Sequence, residues 1–127
     1  MALYGDVNIN SLVKRVGVGD GLYEFVAAFA TAAGSAPTID AIRTRGVLSI
    51  ARTGTGVYEV ALPFGLRHID VQISMSAHPA SAILNALKWS ATEGARIITL
   101  TNTVISSGAA GDTTGVGWNV RISGRNG

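Results

Sequence analysis

Alternation of apolar and polar side chains with period two runs through most of this chain, and it is cleanest in residues 68–76. There Ile69, Val71, Ile73 and Met75 fall on one side, while His68, Asp70, Gln72, Ser74 and Ser76 fall on the other. Successive side chains of a strand point to opposite faces, so this segment predicts a half-buried antiparallel strand with one wetted face. Residues 46–62, GVLSIARTGTGVYEVAL, predict two strands folded on a tight turn. Leu48 and Ile50 share a face on the first arm, and Tyr58, Val60 and Leu62 share one on the second. The two glycines of the intervening RTGTG are expected to supply the positive φ values that hairpin connections need.

Other segments follow the same pattern. Residues 12–18 alternate loosely and predict a first strand, followed by the glycine turn GVGDG at 17–21. Residues 22–29 predict a strand with Tyr23, Phe25 and Phe29 on one face; a short helix over 24–33 is the alternative that its alanines would tolerate. Gly19, Gly21, Tyr23, Glu24 and Phe29 recur as Gly54, Gly56, Tyr58, Glu59 and Phe64, a constant offset that we read as a common hairpin solution rather than a duplication. Residues 34–37 are a loop, and 39–45 lead into the central hairpin. Past Pro79 the pattern fits either a strand over 85–91, which an otherwise all-strand chain favours, or a helix over 79–87. Ile98, Leu100 and Val104 then oppose Ile97, Thr99, Thr101 and Thr103, a β-branched row suited to a sheet. A long flexible loop is expected over 106–117. The last strand turns Trp118, Val120 and Ile122 inward and Asn119, Arg121 and Ser123 outward. Seven or eight short strands between glycine, serine and threonine turns predict an all-β protein: an antiparallel two-sheet β-sandwich, jelly-roll-like, in a single domain over 11–127. Residues 1–10, with little periodicity overall, predict an extended N-terminal arm ordered only by something that holds it.

Composition changes the picture at the surface. Hydrophobic residues make up 47% of the 127, glycine adds 16 more, and charged residues are 14%, against about 25% in ordinary soluble domains. So few charges cannot clothe the whole outside of a small domain, so much of it is expected to face another protein. The net charge of +2 comes from ten basic residues spread along the chain. With no basic run and no interleaved aromatics, nucleic acid is not the expected partner. No apolar run is long enough to span a bilayer as a helix, so no membrane partner is expected. The absence of cysteine excludes a disulfide framework and thiolate metal sites, and fits a protein made in a reducing cytosol.

Catalytic chemistry finds little to stand on. His68 and His78 lack ligands at recognisable spacing, and an exposed or locally hydrogen-bonded role suits both. The eight carboxylates include no adjacent pair, and Asp20 and Asp112 read as turn residues rather than calcium ligands. No serine lies in a nucleophile elbow, and GVGDG lacks the third glycine and the helix of a dinucleotide site. No catalytic, metal or cofactor site is therefore expected, and the chain reads as a non-enzyme. Arg43 and Arg45 alternate onto one face beside Arg52, a basic trio that would suit phosphate or an acidic partner as readily as a solvated face. Trp89 and Trp118 both fall on inward faces, where core packing is the default and a sugar-stacking platform the minority reading. Leu3, Tyr4, Val7 and Ile9 would leave the arm exposed in a monomer, which places it on a neighbouring subunit.

The hairpin Ala-Arg-Thr-Gly-Thr-Gly-Val-Tyr-Glu-Val at 51–60 resembles one recurrent in small β-sandwich virion proteins of tailed bacteriophages. So does the later order of an alternating strand, a Thr-rich strand over 97–104, a Gly/Asp loop over 108–117 and a closing Trp-x-Val-x-Ile strand. These proteins include capsid decoration or cement proteins, head fibres and tail-fibre tips. The resemblance covers about 46–124 and implies a sandwich, commonly trimeric, that works by binding. The expectation is a decoration subunit made in the bacterial host cytoplasm. It would sit on the capsid exterior of the virion, bound to the major capsid protein and to copies of itself. The alternative is a receptor-binding tip whose 106–117 loop contacts host glycan or protein.

Overall fold

The computed structural model describes residues 14–16, 22–79, 84–111 and 113–126. In chain order the strands are β1 (Lys14–Val16), β2 (Leu22–Ala30), β3 (Thr38–Ile39), β4 (Ser49–Gly54), β5 (Val57–Ala61), β6 (Leu66–Ala77), β7 (Asn85–Ser90), β8 (Ile97–Val104) and β9 (Gly117–Asn126). They form two sheets. A five-stranded sheet runs β1-β2-β9-β6 with β3 also on β2, and a four-stranded sheet runs β4-β5-β8-β7. Every strand pairing is antiparallel. The protein is an all-β two-sheet sandwich.

Alternation explains which faces meet. Phe25, Ala27 and Phe29 of β2, with Trp118, Val120 and Ile122 of β9, are buried against Ile50, Tyr58, Val60, Ile98 and Leu100 of the other sheet. Each large side chain so removed from water contributes about 1.5–3 kcal/mol. Residues 22–30 are strand because Tyr23, Phe25 and Phe29 line one face, and pairing with β9 along the whole length satisfies the backbone. Residues 85–90 are likewise strand and not helix. The turn at 17–21 and residues 80–83 lie outside the described residues.

The recurrence seen in the sequence has a spatial counterpart. Hairpin β1–β2 and hairpin β4–β5 occupy the same position in the two sheets, each followed by one late strand and one outer strand. Their matching aromatics pack crosswise: Tyr23 meets Phe64 at 5.1 Å and Phe29 meets Tyr58 at 5.2 Å between ring centroids. Under the offset Tyr23 corresponds to Tyr58 and Phe29 to Phe64, so exchanging the hairpins carries one aromatic pair onto the other.

Three local expectations need correction. Of the two glycines in RTGTG only Gly56 takes positive φ, at 68°; a bulge between Arg52 and Gly54 absorbs the other irregularity. Leu48 precedes the first paired residue of β4 and is 64% exposed, so it does not join Ile50 in the core. The loop expected to be flexible is tied down. Val104 N donates to Ala109 O, Gly111 N donates to Asn102 O (both 2.9 Å), and Asn102 Nδ2 reaches Gly111 O at 2.9 Å. Past it, Thr31 Oγ1 donates to Thr113 O and accepts from Val116 N.

Candidate interaction surface

The two edges of the five-stranded sheet differ. On the free side of β2, β1 pairs with residues 22–24, Arg45 bridges Val26 with two backbone bonds of 3.0 and 2.8 Å, and Thr44 Oγ1 bonds both the N–H and the C=O of Ala28. β3 then closes the end. That edge is covered along its length. At the other edge, among the described residues, β6 pairs with β9 alone, just as β7 pairs with β8 alone in the opposite sheet.

β6 and β7 face each other across the sandwich, and hydrogen bonds pin both ends of the pair. At one end His68, in the β-bulge of β6 with φ of 52°, donates its N–H to the Glu93 carboxylate at 2.8 Å. Gly94 N donates to Leu66 O alongside it. At the other end His78 Nε2 lies 3.1 Å from Asn85 Oδ1, and Asn85 Nδ2 donates to Thr113 Oγ1 at 3.2 Å. Between these pins the inward rows are incompletely covered. Val71, Ile73 and Leu87 are half-buried against the core, while Met75 is 42% and Trp89 40% exposed. The result is an apolar seam along the side of the sandwich, bounded by two strand edges that carry backbone donors and acceptors.

The sequence-predicted contact residues are distributed otherwise. Leu3, Tyr4, Val7 and Ile9 lie outside the described residues. Arg43 sits in a turn over 41–43, where Asp40 Oδ1 accepts from the Ile42 and Arg43 amides and Asp40 Oδ2 stands 3.6 Å from Arg43 Nε. Arg45 holds the β2 edge through its backbone, and Arg52 lies in β4 opposite Tyr58. The three arginines thus occupy three backbone settings instead of one strand face, because the chain turns at 40–43 where alternation assumed extension. Sequence reasoning placed Trp89 and Met75 on inward faces, correctly, but both lie on outer strands where half a face stays open. Periodicity reports which side a residue takes, not how far its strand stands from the middle of the sheet.

Two further features were searched for chemistry. Gln72, Ser74, Asn119 and Arg121 line a shallow, open depression of about 330 Å³ on the outer face of β6 and β9. Among the described residues no group of three His, Asp or Glu side chains converges as metal ligands would. No family model, no characterised protein and no solved structure matches the chain. What the fold and surface define is a class: an antiparallel β-sandwich in which, among the described residues, the β2 edge is covered while β6 and β7 each pair on one side only, next to a partly exposed apolar seam.

Proposed function

We propose that this protein is a non-enzymatic structural subunit that works by contact, a decoration or cement protein of a tailed-phage capsid. It binds the major capsid protein and copies of itself, most simply as a trimer. The observation that carries this reading is the open seam along β6 and β7. A 127-residue domain with 14% charged residues leaves Met75 and Trp89 partly in water on strands that, among the described residues, pair on one side only, and all of these become buried when another subunit docks there. The link to a capsid rests on the strand-and-turn resemblance over 46–124. Summed over many copies, weak subunit contacts give large avidity on a shell. The tethered 105–116 segment makes a poor adaptable receptor loop, which favours decoration over a fibre tip.

The test is light scattering coupled to size exclusion, followed by cosedimentation with undecorated shells. The expected outcome is a small oligomer that binds shells at high copy number and raises their melting temperature. Trp89→Ser with Met75→Ser is expected to weaken the self-association at least tenfold while the fold persists. A freely soluble monomer at high concentration that leaves shells untouched would overturn the proposal.

A further inference from the structure

The seam has a strand edge to offer and the chain has a segment with which to fill it. We propose that residues 3–10 of one copy add as an edge strand to β6 of a neighbouring copy, laying Val7 and Ile9 into the seam beside Ile73 and Met75. This rests on the reading that copies of the chain assemble, and it names what makes the contact.

Four observations lead there. First, among the described residues β6 is the longest strand at the end of a sheet. From Val71 to Ala77 it carries no charge and no proline, the devices that normally keep an edge from recruiting a partner. β7 is half as long and carries exposed Lys88. Bulges at both ends of β6 leave residues 70–75 as its regular paired stretch.

Second, the arm matches in pattern. Residues 1–10 show little periodicity as a whole, yet within Asp6-Val7-Asn8-Ile9-Asn10 the alternation is unbroken. Added to β6, one face of such a strand extends the apolar row of Ile73 and Met75 over the core. The other extends the polar row of Gln72 and Ser74 with amide and carboxylate groups. Main-chain bonds supply affinity and alternate side chains supply register, the general logic of strand addition.

Third, the arm has no place to continue on its own sheet. Lys14 pairs with Glu24, so the next positions along β2 would fall opposite Phe25 and Val26. Val26 already exchanges both backbone bonds with Arg45.

Fourth, donor and acceptor stand on opposite edges. β1 and β6 are the two ends of the order β1-β2-β9-β6, separated by three strand spacings or about 14 Å. To reach its own β6 the chain would cross the outer face of the sheet with its backbone groups unpaired, whereas a neighbour presents its β6 directly. Thirteen residues before Lys14 span at most about 45 Å, enough to bridge to an adjacent subunit. Contacts made this way run head to tail, and a head-to-tail contact that closes makes a ring.

Two full-length variants separate the halves of the contact. Val7→Asp with Ile9→Asp disables the arm and leaves β6 intact; Met75→Lys puts an inward charge on the acceptor edge, at a position already 42% exposed, and leaves the arm intact. Each alone is expected to run at the mass of one subunit, and a one-to-one mixture at the mass of two, since a single arm–edge contact is restored. Because the chain has no cysteine, Val7→Cys or Ile9→Cys in one tagged copy and Met75→Cys in another give an unambiguous second readout. Oxidation is expected to link differently tagged chains. Circular dichroism of each variant checks that the sandwich persists, and Met75→Leu is the control expected to keep the wild-type mass.

Three outcomes overturn the inference. They are an arm variant that keeps the wild-type mass, a mixture that fails to pair, and a cysteine pair that gives no link between the differently tagged chains. If the arm variant remains oligomeric and still binds shells, strand addition falls while the decoration reading stands. If the wild type binds no shell but the variants complement each other, the reverse holds.

Discussion

Gly56 and Asn102 meet at the point where the β4–β5 turn, β8 and the loop after it are joined. Gly56 needs its positive φ, and a Cβ there would stand 2.7 Å from both Asn102 O and Gly111 O, backbone atoms that cannot step aside. Gly56→Ala is therefore expected to cost about 2–4 kcal/mol in urea unfolding, combining left-handed strain with a backbone clash. Asn102 is fully buried; its Nδ2 serves Gly111 O and its Oδ1 accepts from Trp118 Nε1 at 3.2 Å. Asn102→Leu keeps the volume but strands two buried partners, at about 1–3 kcal/mol each. The expected outcome is a stable-to-unstable shift of that size together with a red-shifted, more mobile Trp118 fluorescence. This polar pair carries the specificity of the loop in an otherwise apolar interior.

At the scale of elements, hydrogen bonds tie both ends of the edge strand β6 to the opposite sheet, and the Glu93–His68 bond is one of the two pins. The carboxylate receives the amide of a residue in left-handed conformation, so the bond helps hold a bulge that the backbone would otherwise disfavour. Glu93→Ala is expected to cost about 1 kcal/mol, the scale of one partly exposed hydrogen bond. It should also accelerate amide exchange at His68 and its β6 neighbours while leaving β2 and β9 protected. Uniform acceleration across both sheets would contradict a local role for this pin. The closed edge at β2 makes the contrast: Arg45, Thr44, β1 and β3 together leave it nothing to offer a partner, so the pairing capacity of the five-stranded sheet is concentrated on β6.

For the whole molecule, the contacts Tyr23–Phe64 and Phe29–Tyr58 join the two hairpins across the sandwich, and the end strands set the surface. One sheet ends in the long, bare β6 and the other in the short β7, so the seam between them is open. Association through that seam links stability to protein concentration: the apparent melting temperature is expected to rise with concentration by several degrees over two decades. Trp89→Ser with Met75→Ser should flatten the dependence. A concentration-independent melt in the wild type would contradict association in solution.

Alternation alone determined a good deal here. Residues 22–29, 57–61, 66–77, 97–104 and 118–122 announce strands, and their inward rows, Phe25 and Phe29 to Val120 and Ile122, are the observed core. This is legible because a strand sorts side chains by parity, a property of neighbours in the chain. The order of strands within each sheet, and therefore which edges stay open, is a property of long-range pairing, and only the tertiary structure decided it. That is why Trp89 and Met75 are inward yet wet and why the arginines part company at the 40–43 turn. It is also why Asn102, one polar residue in the inward row of Ile98 and Leu100, proves to be the anchor of a loop whose composition read as slack.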